Sequence, residues 1–324
     1  MRAIISRNKN LPAELTQVDE HDLGGGDVLI DVTHSSLNYK DGMALTGRGI
    51  VRRWPLILGI DVTGVVAESS SPRFSPGDRV TLNGSGLGEL RNGGYAQRAR
   101  VSSEFLIYVP EAISLSQAAA IGTAGFTAAI AVLALEREGV EPGDGEILVT
   151  GAAGGVGSIA ISLLARRGYA VVASSGRAVD QGEFLRSLGA HDVIDRTDLA
   201  APGGPPVQPE RWSGAIDSIG SHTLANVLAQ SRYEGVVVAN GMAQGIDLPT
   251  SVLPFILRAV TLVGANSVDA SLELRRRAWT VLADELDLDV LDRLTTTIGL
   301  EEVIGHGGAI LHGAVRGRTV VNVV

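Results

Sequence analysis

The 324-residue chain contains no cysteine, which excludes disulfides and metal sites built on thiolates. Aromatic residues are scarce, at 4% of the chain, whereas glycine occurs 41 times; that balance suits a turn-rich α/β enzyme. Positive charge is in deficit: 27 Lys and Arg face 36 Asp and Glu, for a net charge of −9 and a pI near 5.2. Such a balance argues against nucleic acid or an anionic membrane surface as a general partner. No apolar run reads as approaching the length of a membrane span, and the segment from Met1 to Ser6 enters a strand without the apolar core of a signal peptide. The expected location is the cytoplasm. The length allows two domains, each with its own core.

The most informative segment is Thr150-Gly-Ala-Ala-Gly-Gly-Val-Gly-Ser158. Before it, Glu146-Ile-Leu-Val-Thr150 has the apolar character of a buried parallel strand. After it, Val156, Ile159, Ala160, Leu163 and Leu164 recur at helical spacing, and Gly168 ends the pattern. Strand, glycine turn and helix form the context that a dinucleotide-binding turn requires. Backbone amides at the helix N-terminus then face a pyrophosphate, and the helix dipole favours its charge. Side chains larger than alanine near Gly154 and Gly155 would block that approach. The plainer alternative is a tight strand-to-helix turn without a ligand, but the unit repeats downstream.

Further strands are expected at Ala170–Ser174, Asp192–Ile194, Ala215–Ser218, Gly235–Ala239 and Val260–Gly264, with helices over 182–188 and 224–229 and a surface loop over 201–206. Six strands alternating with helices predict a doubly wound parallel sheet. At the end of the second strand an NAD site usually carries Asp or Glu, to bond the ribose hydroxyls. Here the residues are Ser174, Ser175, Gly176 and Arg177. No carboxylate stands there to repel a 2′-phosphate, and the arginine fork suits one. Arg196, just past the third strand, either serves the adenine end of the cofactor or is a solvated surface residue. The expected cofactor is NADPH.

From Ile4 to about Pro110 the texture changes to short strands such as Val28–Val32 and Gly64–Ala67, punctuated by Ser75-Pro-Gly-Asp78 and Asn92-Gly-Gly94. That pattern predicts a compact β-rich domain. Beyond Gly264, an amphipathic helix is expected over 272–286, and a final strand over 317–324 that returns to the first domain. The expected substrate site is a cleft between domains.

With these features the chain resembles the medium-chain dehydrogenase/reductase superfamily, and within it the zinc-free acryloyl-CoA reductase family, also called YhdH-type quinone oxidoreductases. The resemblance runs over nearly the whole length. It rests on Ser35-Ser-Leu-Asn-Tyr-Lys-Asp41, Pro55-Leu-Ile-Leu-Gly-Ile-Asp61, Ile121-Gly-Thr-Ala-Gly-Phe-Thr-Ala128, the glycine turn, Ser175-Gly-Arg177, Gly214-Ala-Ile-Asp217, Pro254-Phe-Ile-Leu-Arg258 and Gly317-Arg-Thr319. It implies a GroES-like β-rich catalytic domain (1–121 and 290–324) and a doubly wound Rossmann nucleotide-binding domain (122–289). Zinc-dependent members of the superfamily carry Gly-His-Glu where this chain has Gly59-Ile60-Asp61. His34 and Asp61 alone do not make a three-ligand site, so no metal is expected.

The implied reaction is hydride transfer from NADPH to the β-carbon of acryloyl-CoA, giving propionyl-CoA. Tyr39 is the candidate catalytic residue, either donating a proton to the α-carbon or positioning cofactor and substrate; a core tyrosine bonded to backbone is the alternative. The resemblance further implies cofactor contacts from Tyr39, Ala153, Gly154, Gly155, Val156, Ser175, Gly176, Arg177, Arg196, Met242, Ile256, Ser267 and Arg318. For Met242 and Ile256, core packing is an equal alternative. Asn38, Lys40 and Asp41 share the tyrosine motif without assigned roles. Arg48, Arg52 and Arg53 either meet CoA phosphates or form a solvated face. A quinone or other enone is the alternative substrate, a non-catalytic NADPH-binding protein is a third reading, and the family suggests a homodimer.

Overall fold

The computed structural model describes residues 1–9 and 11–324. The chain divides into two compact units: Met1–Phe126, Ser267–Ala283 and Leu288–Val324 form the first, and Thr127–Asn266 with Asp284–Asp287 the second. The expected boundaries at 121/122 and 289/290 differ from this division most over 267–283. The reason lies in two side chains of that segment. Arg275 is buried and donates through Nη1 to the Asn83 carbonyl at 2.7 Å, while Trp279 Nε1 donates to Asn83 Oδ1 at 3.3 Å.

In chain order, the first unit supplies β1 (Val28–Leu37), α1 (Tyr39–Leu45), β2 (Asp61–Ser69) and β3 (Arg79–Asn83), followed by α2 (Leu115–Arg137), which leads into the second unit. That helix is long and apolar enough to cross a membrane by length and composition, which corrects the expectation that no run approaches a span. Its apolar window is 94% buried inside the structure; a helix apolar on every side is what an interior position demands. It bends at Gly122, whose φ of 49° and ψ of −161° are not helical.

The second unit is built from β4 (Glu146–Thr150), α3 (Gly155–Arg166), β5 (Ala170–Ser175), α4 (Ala178–Ser187), β6 (Asp192–Asp195), β7 (Trp212–Asp217), α5 (Ser221–Gln230), β8 (Ser231–Ala239), α6 (Leu253–Arg258) and β9 (Thr261–Gly264). All strand pairs are parallel, and the order is β6-β5-β4-β7-β8-β9. The order reverses between β4 and β7, where such sheets bind ligands beyond the strand C-termini. Leu148, Val172, Trp212, Ala215, Val227 and Val237 form one core of this unit, which explains why its strands read as unbroken apolar runs.

The chain then returns to the first unit with α7 (Leu272–Glu285), β10 (Thr295–Gly299), α8 (Val303–Leu311) and β11 (Arg318–Asn322). Strand β11 pairs antiparallel with β1 and parallel with β10, so the main sheet runs β10-β11-β1-β2-β3 before ending on Ile107–Tyr108. Its core gathers Ile30, Val32, Leu45, Leu58, Val62, Tyr95, Val303 and Val321. Alternation of buried and exposed residues is imperfect along β1, because register shifts interrupt its pairing with β2 at Leu29/Ile30 and Val32/His34.

Candidate functional site

In the second unit, the turn after β4 is shaped by a close approach. A Cβ on Gly157 would lie 2.5 Å from the Gly151 carbonyl oxygen and 2.7 Å from Ala152 Cα, so only glycine lets the first turn of α3 sit against the strand end. Gly154 N donates to Gly151 O at 2.9 Å, and the first helical bond runs from Ser158 N to Gly154 O at 3.0 Å. The amides of Gly155, Val156 and Gly157 thus open the helix N-terminus, where an anion is favoured by both donors and dipole. Ala153 is buried behind them.

This turn is clamped from the neighbouring strand. Asp217, buried at the end of β7, accepts from Thr150 Oγ1 at 2.6 Å, Gly220 N at 2.7 Å and Ile219 N at 3.2 Å; Thr150 Oγ1 in turn accepts from Ser218 N at 3.1 Å. Burial raises the Asp217 pKa, and the three hydrogen bonds oppose that rise. In the sequence Asp217 is only part of a motif; in the structure this one carboxylate fixes the ends of both central strands.

Next to the turn lie the residues read as the cofactor-choice loop. Ser174 O accepts from Ala152 N at 3.2 Å, and Ser175 O accepts from Arg196 N at 3.0 Å, joining the ends of β4, β5 and β6. A Cβ on Gly176 would come within 2.7 Å of Arg196 Nε and 2.8 Å of its Cζ; the Arg196 guanidinium therefore lies directly across the glycine. Arg177 caps α4, its backbone N donating to Ser175 Oγ at 3.2 Å. The carbonyl oxygen of buried Gln181 accepts from Arg177 Nε at 3.0 Å and Nη2 at 3.1 Å, in the amide orientation that satisfies both groups. Two guanidinia and a hydroxyl thus face one small loop with no carboxylate in it, which fits a 2′-phosphate.

Past β8, Asn240 Oδ1 accepts from Ser218 Oγ at 2.8 Å, while its Nδ2 is buried without a partner. A stranded donor at a strand C-terminus in this fold is what a ligand's carbonyl would satisfy. Met242 follows it, 45% exposed and packed near Gly220. Ile256, on α6, is 68% exposed, so neither residue is the core side chain that was the alternative for both. The sheet's C-terminal edge brings together Ala153–Val156, Ser175–Arg177, Arg196 and Met242.

Tyr39, Ser267 and Arg318 belong to the first unit. Tyr39 opens α1 with its ring 39% exposed, which removes the alternative of a core tyrosine. The turn that carries it is held by Asp41: Oδ2 accepts from Asn38 N at 2.9 Å and Oδ1 from Ile60 N at 2.9 Å. Lys40 is engaged with Glu89 at 2.6 Å. Below them lies a buried polar knot. Asp61 accepts from Ser36 Oγ (2.5 Å), Asn38 Nδ2 (2.9 Å), Asn83 Nδ2 (2.8 Å), Thr123 N (3.0 Å) and Thr123 Oγ1 (2.7 Å). Arg318 donates through Nε to Ala120 O at 2.5 Å and leaves Nη2 without a partner; a Cβ on Gly122 would sit 2.9 Å from that nitrogen and from Asp61 Oδ2.

Burial, then the neighbouring Asp61 charge, push the Asp41 carboxyl up to about 7. Burial also lowers the Arg318 pKa, opposed by Asp61 and Asp41. Ser267 is buried, with its carbonyl accepting from Arg275 Nη2 at 3.2 Å. His34 Nδ1 pairs with Thr33 Oγ1 at 2.9 Å, and burial lowers its pKa. No group of three or more His, Cys, Asp or Glu side chains arranged to hold a metal occurs among the described residues.

Residues 24–111 match the alcohol dehydrogenase GroES-like domain family, and residues 155–284 the zinc-binding dehydrogenase family. The chain is 47% identical to the probable acrylyl-CoA reductase AcuI of Escherichia coli, covering 96% of this chain and 95% of that protein. It is 44% identical to the acrylyl-CoA reductase AcuI of Ruegeria pomeroyi (96% and 94% covered), and 42% identical to the putative quinone oxidoreductase YhfP of Bacillus subtilis (94% and 92% covered). Its fold superposes on the crystal structure of E. coli YhdH with bound NADPH at a TM-score of 0.96, with 45% identity over 100% of both chains. On B. subtilis YhfP with bound NAD the TM-score is 0.94, with 40% identity over 99% and 98% of the two chains. The chain belongs to the AcuI/YhdH acrylyl-CoA reductase family of the medium-chain dehydrogenase/reductase superfamily.

Proposed function

We propose that this NADPH-dependent oxidoreductase reduces the C=C bond of acryloyl-CoA to give propionyl-CoA, without zinc. The observation that carries the cofactor half is the Ser175-Gly176-Arg177 loop with Arg196 laid across its glycine. The substrate half is supported by similarity to two AcuI proteins over nearly the full length.

NADPH supplies the hydride that adds to the β-carbon. The amides of the β4–α3 turn and the α3 N-terminus hold its pyrophosphate, and Arg177 and Arg196 hold the 2′-phosphate. Asn240 Nδ2 and Met242 serve the nicotinamide end, with Ile256, Ser267 and Arg318 as further contacts. As negative charge builds on the thioester oxygen, hydrogen-bond donors rather than a metal stabilise it. The donor set does not suit zinc: the chain has no cysteine, and both Asp61 oxygens are already taken by five donors. The Tyr39 hydroxyl, on an exposed ring at the head of α1, is the proton donor to the α-carbon or its positioner.

The enzyme is further proposed to act as a homodimer in the cytoplasm. In the second unit β9 is an edge strand, and nearby α6 exposes Ile256 and Leu257 at 68% and 60%, an edge and an apolar surface suited to a second copy. A cysteine-free chain needs no oxidising compartment.

A second reading, NADPH:quinone or enone oxidoreductase, is favoured by the similarity to YhfP. Steady-state assays with acryloyl-CoA, crotonyl-CoA and a benzoquinone, each with NADPH and NADH, separate the two. The expected result is highest kcat/KM for acryloyl-CoA with NADPH; much faster turnover of the quinone than of either thioester would overturn the reading.

A further inference from the structure

We infer that the loop from Thr46 to Trp54, with the groove beside it, binds the adenosine 3′-phosphate 5′-diphosphate end of a CoA thioester. The inference rests on the acyl-CoA reading above and lies entirely within the first unit.

The first observation is charge. From Gly42 to Ile60 the sequence has no acidic residue, yet Arg48, Arg52 and Arg53 fall within six positions of a chain with net charge −9. All three are exposed. Among the described residues none of their guanidinium groups has an ion pair or hydrogen bond, whereas Arg2, Arg7, Arg98 and Arg100 of the same unit are each paired with a carboxylate. Lys40, the nearest other cation on α1, is consumed by Glu89. Leaving three like charges unpaired in one loop is unfavourable unless an anion meets them.

The second observation is that the loop backbone is fixed while these side chains are free. Arg48 N donates to Met43 O at 2.7 Å and Arg52 N to Glu89 O at 2.9 Å. Val51 is buried in the core, and Trp54 Nε1 donates to Ser6 Oγ at 3.1 Å. A tethered loop loses little entropy when its arginines close on a ligand.

The third observation is a shallow groove against the same loop, lined by Asn8, Lys9, Gly47, Gly49, Val51 and Trp54 among others. Nothing stands within 4 Å of the Cβ position of Gly49. Trp54 forms an aromatic wall of this groove, Lys9 adds a cation, and arginine forks suit terminal and bridging phosphates. A quinone has nothing to place in this loop.

The test is calorimetric titration of CoA into protein saturated with NADP+, so that the cofactor's own phosphoadenosine site is filled. Wild-type protein should bind CoA, and bind dephospho-CoA more weakly. The triple variant R48A/R52A/R53A should bind CoA at least tenfold more weakly and no longer distinguish it from dephospho-CoA. Its KM for acryloyl-CoA should rise by a similar factor, while turnover of acryloyl-pantetheine and the KM for NADPH stay unchanged. The single charge reversal Arg48→Glu should move CoA binding the same way. Unchanged CoA affinity in these variants, or no CoA binding by wild type, overturns the inference. If CoA binds through the arginines but acryloyl-CoA is not reduced, the reaction reading fails and the site stands. If acryloyl-CoA is reduced with the same KM by all variants, the site falls and the reaction stands.

Discussion

The β4–α3 turn of the second unit and the polar knot beneath α1 in the first unit handle buried polarity in opposite ways. The turn is made of small residues and backbone; its amides open the N-terminus of α3, where an anion is favoured. The knot is made of side chains; five donors converge on Asp61 alone, while Asn38 Oδ1 and Arg318 Nη2 are left without a partner. The contrast shows where each unit spends its specificity: the second keeps donors open for a ligand, and the first uses them to hold one exposed tyrosine in place.

Breaking the knot should have the largest effect. Asp61→Ala leaves five donors without their acceptor and takes a neighbouring negative charge from the buried Arg318, and removal of one partner from a buried charge cluster costs about 3–5 kcal/mol. Urea denaturation should show that loss, and Asp61→Asn should recover part of it. A loss below about 1 kcal/mol would mean that the knot is not cooperative. The same pair of regions separates what the sequence revealed from what it hid. Gly151 to Gly157 is contiguous, and its strand and helix flanks carry periodic apolar residues, so the turn was legible. Ser36, Asp61, Asn83, Thr123 and Arg318 are far apart in sequence and meet through the pairing of β1 with β2 and β11, the pairing of β2 with β3 and the bend of α2 at Gly122. Nothing local in the sequence marks Arg318 as a buried neighbour of two carboxylates. The apolar run of α2 is diluted in sequence by glycines and threonines, and burial inside the structure is what marks it as an interior helix.

The knot also makes a pH prediction that the turn does not. Asp41 faces Asp61, Tyr95 and Arg318 and is pushed from its ordinary 3.8 up to about 7. Between those values the folded chain retains a proton that the unfolded chain releases, so stability is highest below the lower value and falls as pH rises to about 7. Above that it levels off. The rise from 3.8 to about 7 corresponds to ~4 kcal/mol across the window. Chemical denaturation at several pH values should show this slope in the wild type and its loss in Asp41→Asn. Parallel slopes in the two proteins would exclude Asp41 as the source.

In the second unit the comparison is sharpened by Arg177→Ala. Removing one charge-assisted phosphate contact costs roughly 1.5–3 kcal/mol, so the KM for NADPH should rise by one to two orders of magnitude while that for NADH changes little. Equal changes in both would remove the basis for assigning the 2′-phosphate to this loop.

The smallest effect concerns Gln181, which the sequence did not reveal because helix α4 was expected to begin at Gly182 rather than Ala178. Its first turn has no apolar periodicity to announce it, and Val179 there is 95% exposed. The observed start places Gln181 one turn below the Arg177 cap, with its carbonyl oxygen bridging Arg177 Nε and Nη2. Those bonds leave Nη1 and the outer edge of the guanidinium free for a phosphate, so Gln181 acts as a positioning residue rather than a ligand. Loss of a neutral acceptor for a charged donor costs about 1.5 kcal/mol, and Gln181→Ala should raise the KM for NADPH about tenfold with kcat unchanged. Gln181→Glu supplies an acceptor but also a negative charge near the phosphate, so it should restore the order of the arginine while failing to restore NADPH affinity. If Gln181→Ala raised the KM values for NADPH and NADH alike, the side chain would be supporting the fold of α4 and not presenting Arg177 to the cofactor.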